Sequence, residues 1–496
     1  MNTKQLLLLL GGVFAFSLGA KDIDVAAHVK KYWTRWHNYN AEVADGDKRW
    51  PLTPELKKER LEHFRAMMKK FAPHIVEETF IIDKAFGWEK GTYLDILRYG
   101  ARPKVTPDVP KPAHECTSWV IMDNLTGGKK VIVHKNRDSR GRPLTLIRRA
   151  IPGKHAWIGN GPQYSFQPTQ GINDRGVVVM MNSGDAMAEA DNSQYGFGTT
   201  MVCRILLEEA NTAKEAVALL EKMILAGANT HVECGSIWFI GDAGNVYIVE
   251  HSNRKIVSKA VNSGFIARAN AFHYPEMQFY SLRDFKGLMS HAGREFALKD
   301  FFINNVWRKN GIITPLDNAA GSRIDQLPHK GKGSVPCSRS TVSATTFAID
   351  KEFPEFLSTA YMVFSSPKSS VYLPVPVTVN EIPEAILNGS YSMRSFELMD
   401  RKLPLLPADK LAALEKELYA RHGAALEKAR TLLRTSTLHT VKSDAAAILN
   451  KIFLENYNAI EAAVKANPVP PAAPAAPVKA APAAAPVKAA PGCAAR

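Results

Sequence analysis

The residue best suited to chemistry in this chain is a lone cysteine. Cys116 sits in "HECTSW", directly after the proline-rich run "PKVTPDVPKPA", and is followed by two hydroxyls and an indole. Three readings are open: a buried small hydrophobe, half of a disulfide, or a nucleophile. The five cysteines, Cys116, Cys203, Cys234, Cys337 and Cys493, are few and odd in number for 496 residues. That argues against a disulfide framework and leaves at least one thiol free. As a nucleophile, Cys116 works best as the first residue of a mature subunit. Breaking the Glu115–Cys116 bond frees an α-amine whose ordinary pKa is ~7.7–8.0, so the amine becomes the thiol's own base and no histidine is needed. The four prolines of "ARPKVTPDVPKPAHE" cannot continue a helix or a central strand, so the segment reads as an exposed connector presented for cleavage.

Elements of regular structure must hold that cysteine in place. From Ile23 to Gly91 apolar residues recur at helical spacing, with a start at Thr53-Pro54, and "TYLDILRYG" reads as a further short helix. Beyond Cys116 the pattern changes to strands. "CTSWVIMDN" and "KKVIVHKNRD" form a hairpin through "LTGG", and "SIWFIGD" and "NVYIVEH" another through "AG". "LTLIRRAI", "GVVVMMNS", "GFIARANAF", "STVSATTFAID" and "STAYMVFSS" add strands. A helical pair lies among them, the second helix opened by a capping box from Thr212 to Glu215. Hairpins with inserted helices imply an α+β fold of two antiparallel sheets covered by helices. After Pro404 two amphipathic helices follow, and the tail repeats "APVKAAP", a composition that suits an extended spacer or an envelope contact.

Composition narrows the function. The first twenty residues combine one lysine, an apolar run and small residues near Ala20, the pattern of a secretory signal, and no later run reaches the ~18 apolar residues of a membrane span. The expected location is therefore exported, periplasmic or extracellular. The net charge of +15 favours acidic surfaces, but the basic residues are scattered and carry no nucleic-acid-binding signature. Neither the cysteine spacings nor the fourteen histidines imply a metal, and no other cofactor is implied.

The ordered set "CTSW", "HKNRD", "GINDRGVVVMMNSGD" and "ARANAFHYPEM" resembles the N-terminal nucleophile (Ntn) hydrolases of the linear amide group. These include choloylglycine hydrolase, N-acylethanolamine acid amidase, acid ceramidase and the penicillin acyltransferase family. The last is the nearest likeness, because its members also carry a helical segment ahead of the cysteine. The resemblance, which covers roughly 75 to 375, implies a four-layer αββα sandwich. Together with the patterns above it divides the chain into a signal peptide at 1–20, a helical prosegment at 21–115, a catalytic domain at 116–400, a helical extension at 401–466 and a disordered tail at 467–496. It implies a self-processing amide hydrolase or acyltransferase that works through a thioester on Cys116, with a small-molecule amide as substrate. Its nucleophile falls on Cys116, the cleavage on Glu115 and Cys116, and its Arg-Asn-x-Asp strand on Lys135, Asn136, Arg137 and Asp138. Asp138 would hold the free amine, while Asn182 and Asn270 would stabilise the oxyanion. Arg339 would supply a late substrate-binding arginine. Lys135 departs from the pattern, since lysine keeps the charge but loses the planar donor pair. Arg137 is a substitute for substrate binding, although strand alternation puts it on the side of Lys135 and opposite Asp138. Two alternatives stand beside this reading: a dipeptidase-like or bile-acid-amide hydrolase of the same superfamily, and a non-catalytic envelope protein on the same scaffold.

Overall fold

A computed structural model describes residues 22–33, 54–99, 116–139, 143–184, 196–228, 235–252, 255–281, 285–327 and 335–468. Residues 1–20, expected to be a signal peptide, Glu115 and the connector before it, Cys234, Cys493 and the "APVKAAP" repeats lie outside them. No described helix is long and apolar enough to cross a membrane.

Thirteen strands form two antiparallel sheets among the described residues. They are β1 (Thr117–Ile121), β2 (Lys130–Asp138), β3 (Leu144–Arg149), β4 (Trp157–Pro162), β5 (Gln170–Asn173), β6 (Val178–Ser183) and β7 (Ser236–Gly241), then β8 (Val246–His251), β9 (Ile256–Val261), β10 (Phe265–Arg268), β11 (Thr341–Asp350), β12 (Thr359–Val363) and β13 (Leu373–Pro376). One sheet runs β10-β1-β2-β11-β12-β13 and the other β3-β4-β5-β6-β7-β8-β9. The hairpin expected at "LTGG" joins β1 to β2. Gly127 and Gly128 take φ of 73° and 76° there, a backbone that residues with a Cβ adopt only under strain.

Period-two alternation sorts the side chains into layers. Val120, Val131, Val133, Phe347 and Ile349 of the first sheet meet Leu146, Ile158, Val178, Met180, Ile237 and Phe239 of the second in a dry inter-sheet core. The opposite faces are apolar too, which is why several strands read as unbroken hydrophobic runs, and each needs a helical cover. Trp119, Ile121 and Ile132 lie under Leu298, Phe302 and Val306. Val179, Trp238 and Ile240 lie under α5 (Thr199–Glu209) and α6 (Ala213–Leu225), which follow α1 (Val25–Tyr32), α2 (Pro54–Phe71), α3 (Pro73–Phe86) and α4 (Thr92–Tyr99) in the chain. The result is the four-layer αββα sandwich.

Two local details differ from the sequence reading. The helical run after Thr53-Pro54 breaks at Ala72, because Pro73 has no N–H to continue it and instead opens α3. The box at α6 is half made: Thr212 caps the Glu215 N–H at 3.1 Å, but the Glu215 carboxylate turns to Asn211.

The N-terminal helices are built into the core. Val29, Trp33, Phe64, Met68, Ile75 and Ile82 are buried in one cluster with Phe197, Met201, Ile205 and Trp238. Each fully buried side chain of this size contributes ~1.5–3 kcal/mol. Beside it, Glu78 takes two bonds from Arg204 at 2.6 and 3.0 Å and pairs with Arg149 at 2.6 Å. Asp22 grips Arg149 at 2.8 Å, and His74 reaches Glu208 at 2.7 Å. Burial alone would raise the Glu78 pKa, yet Arg204 and Arg149 hold it down at about 2.

At the other end, α7 (Phe285–Lys299) leads into a π-helical segment, and α8 (Ala408–Thr435) and α9 (His439–Ala466) form a hairpin against β13. Leu418, Phe453 and Ile460 extend the inter-sheet core, and Asn450 bonds the backbone at Thr378 and Asn380. These helices cover a sheet edge that would otherwise be open to pairing.

Candidate active site

Cys116 is the residue immediately before β1 and is 6% exposed. Strand register fixes where it faces. Val120 pairs with Val133 and Ser118 with Lys135, and Val120 and Val133 point into the inter-sheet core. Alternation then places Cys116, Ser118, Lys135 and Arg137 on that same face, at the end of the gap between the sheets. From the opposite sheet Asn182 of β6 comes in: its Oδ1 accepts the Ser118 hydroxyl at 2.8 Å.

The two asparagines stitch this corner together in different ways. Asn182 Nδ2 donates to the carbonyls of Arg268 and Ala269 at 3.1 and 3.0 Å, so both of its N–H groups are engaged. Asn270 Nδ2 donates to Ser183 O at 2.8 Å, which leaves its second N–H uncommitted among the described residues. Asn182 thus fixes the loop after β10, while Asn270 keeps a donor available.

An arginine absent from the sequence reading reaches the cysteine. Arg294 of α7 donates from Nη1 to the Cys116 carbonyl at 3.0 Å and to Thr117 Oγ1 at 3.1 Å, and its Nη2 reaches Asn270 Oδ1 at 3.4 Å and His291. Arg339, to which the order of motifs assigned the late arginine, has an exposed side chain. The only sequence signal for Arg294 is its place in "SHAGREF" on a helical run, 178 residues from Cys116.

Two cations of β2 lie at this corner, one buried and one half-buried. Lys135 is 1% exposed, and its ammonium donates to the Met181 carbonyl on β6. Burial lowers its pKa; Cys116 opposes the shift and Arg137 adds to it, with smaller upward pulls from Cys203 and Asp138. Burial also lowers Arg137 against the pull of Cys116 and Asp138, and its Nη1 is buried with no hydrogen-bond partner among the described residues. Asp138 accepts from Thr341 Oγ1 at 2.6 Å and Ser338 Oγ at 3.2 Å, beside a register shift between Thr341 and Ser343.

The neighbours of this corner serve other ends. His134 points to the opposite face, stacks on Trp119 and bonds Thr346 and Asn136, and burial drives its pKa down to about 3. It stays neutral and remote from the gap. Burial pushes the Cys203 thiol far up and the Cys337 thiol to about 11, which makes both inert near neutrality. Among the described residues no group of three His, Cys, Asp or Glu could hold a metal ion.

Residues 125–289 match the family model described as acyl-coenzyme A:6-aminopenicillanic acid acyl-transferase. No curated protein matches the chain. Among solved structures, a mutant of the conjugated bile acid hydrolase from Clostridium perfringens is 12% identical, over 54% of this chain and 95% of that one, with a TM-score of 0.35. A second variant of that hydrolase is 13% identical, over 55% and 94%, with a TM-score of 0.37. An N-acylethanolamine-hydrolyzing acid amidase ortholog from Caenorhabditis elegans is 14% identical, over 47% and 92%, with a TM-score of 0.31. By the family match and its αββα layers, the chain resembles the penicillin acyltransferase family of Ntn hydrolases in the linear amide group.

Proposed function

We propose that the protein is an exported, self-processing N-terminal cysteine hydrolase or acyltransferase that cleaves a linear, non-peptide amide through a thioester. The observation that carries the reading is the convergence at the start of β1. Cys116, Ser118, Lys135 and Arg137 share one face, Asn182 meets them from the opposite sheet, and Arg294 holds the Cys116 carbonyl.

Once Glu115–Cys116 is broken, the new α-amine takes the thiol proton and the thiolate attacks the amide carbonyl of the substrate. Negative charge grows on the carbonyl oxygen, and the uncommitted N–H of Asn270 is the donor available to meet it; such a donor lowers the barrier by ~3 kcal/mol. The amine then protonates the leaving nitrogen, and water or a second amine resolves the thioester. Arg137, with a buried nitrogen lacking a partner, suits a carboxylate or carbonyl of the substrate. Export rests on the signal-like residues 1–20.

A panel of chromogenic acyl amides tests the activity. Purified protein is expected to release the amine from at least one of them, and Cys116→Ala to release none. Turnover that survives Cys116→Ala would place the chemistry elsewhere.

A further inference from the structure

The reaction above leaves Lys135 without a task, and it leaves the first cleavage without a base. In the intact chain the nitrogen of Cys116 is an amide, so it cannot take the thiol proton. We propose that Lys135 is the base for that first event, accepting the Cys116 proton before any α-amine exists. The inference rests on the reading of Cys116 as a self-cleaving nucleophile.

Geometry supports it first. Lys135 pairs directly with Ser118, so Cys116, two residues earlier on the same face, is its diagonal neighbour across the β1–β2 ladder. Diagonal neighbours lie ~7–8 Å apart at the backbone, within reach of a long side chain. The groups close enough to act on Lys135 are Cys116 of β1, Arg137 on the same face of its own strand, the Met181 carbonyl of β6, Cys203 of α5, and Asp138 on the opposite face of its own strand. No carboxylate lies within ion-pair distance of it among the described residues, and it is 1% exposed. A lysine buried beside an arginine with no counter-ion loses its proton more readily than an exposed one, the direction found here. The carbonyl bond to Met181 holds either protonation state in place. A guanidinium at this position could not accept a proton.

The step balances. Neutral Lys135 Nζ removes the proton from Cys116 Sγ, and the thiolate adds to the carbonyl carbon of Glu115. The C–N bond breaks, and the Lys135 ammonium returns its proton to the departing nitrogen, which becomes the α-amine. Glu115 remains as a thioester on Sγ until water releases its carboxylate and restores the thiol.

The test follows cleavage of the newly synthesised full chain by intact mass over time, for the natural sequence, Cys116→Ala, Lys135→Arg and Lys135→Ala. The natural chain should cleave, and Cys116→Ala should not. Lys135→Arg and Lys135→Ala should cleave ~10²-fold more slowly or worse, the usual loss when a general base is removed. Methylamine should restore part of the rate to Lys135→Ala, whereas guanidine should not. Cleavage of Lys135→Arg at the natural rate would overturn the proposal and leave the self-processing reading intact. Failure of methylamine to rescue a Lys135→Ala chain that still melts cooperatively would also overturn it. If Lys135→Ala does not fold, Lys135→Arg, which keeps the charge and nearly the length, decides alone. No cleavage of the natural chain would sink the underlying reading, and the proposal with it.

Discussion

The cluster that seats the N-terminal helices and the corner around Cys116 both hold cations largely out of water, but only the first surrounds them with carboxylates. Arg149 is met by Asp22 and Glu78, and Arg204 by Glu78 and Glu208. Lys135 and Arg137 have no such partner within ion-pair distance among the described residues, and burial lowers the pKa of both. Paired buried charge fixes geometry and resists titration. Unpaired buried charge is costly and persists where a reacting group or a ligand will meet it. On this contrast the first cluster holds the N-terminal helices in place, and the second is the corner where we propose the chemistry.

Breaking a pair in the anchoring cluster should have the largest effect. Glu78→Ala strands arginine charge in the core, and the expected loss is ~3–5 kcal/mol, read as a lower thermal midpoint and faster hydrogen exchange in α3. An unchanged midpoint would mean the helices are held by apolar packing alone.

Next comes Asn270→Ala, which should cost ~1–3 kcal/mol through its lost bond to Ser183 O and lower kcat about 10²-fold in the folded protein with little change in KM. Asn182→Ala, whose donors hold two backbone carbonyls, should instead loosen the loop after β10 and lower the melting midpoint. If Asn182→Ala gives the pure kcat effect, the roles are exchanged.

A third effect, smaller and gradual, is the response to acid. Glu78 titrates at about 2 in the folded protein and near ~4.3 when unfolded. A depressed carboxylate contributes its full stability above the unfolded value and loses it as pH falls through the folded one. Exchange protection of α3 should therefore hold down to about pH 4 and decline between there and pH 2. Release of the helices at pH 5–6 would contradict the ion-pair account.

The smallest effect belongs to Arg339→Ala. Its side chain is exposed, so stability should change by less than ~0.5 kcal/mol and turnover should not move. A large loss of turnover would restore Arg339 to the site in place of Arg294.

What could be read from the sequence follows a physical line. The β1–β2 hairpin was legible because Val120, Ile121 and Val131–Val133 flank a turn with two glycines. Strand β4 was not, and β5 showed only through the motif "GINDRG", because their interior is glycine and amide. A Cβ at Gly159 would lie 2.5 Å from the Gln170 carbonyl and one at Gly171 2.6 Å from Leu207. The buried Asn160 and Gln170 reach across to Thr345. Close backbone approach and satisfied polar groups erase the apolar period that marks a strand. The same limit hid the long-range partners. Arg204 and Glu78 are 126 residues apart, and Arg294 comes to Cys116 from a helix with no motif of its own. Residues in ordered motifs, Cys116, Lys135, Asn182 and Asn270, are candidates by their order alone; residues brought together only by the fold carry no such signal.

The central claim is that Cys116 becomes a chain start and then a nucleophile. Intact mass and N-terminal sequencing of the purified protein, followed by brief iodoacetamide labelling at pH 7, test both halves. The account predicts a fragment beginning at Cys116, absent from Cys116→Ala, with label on Cys116 well before Cys203 or Cys337. A single uncleaved chain whose Cys116 labels no faster than the two buried thiols would contradict it.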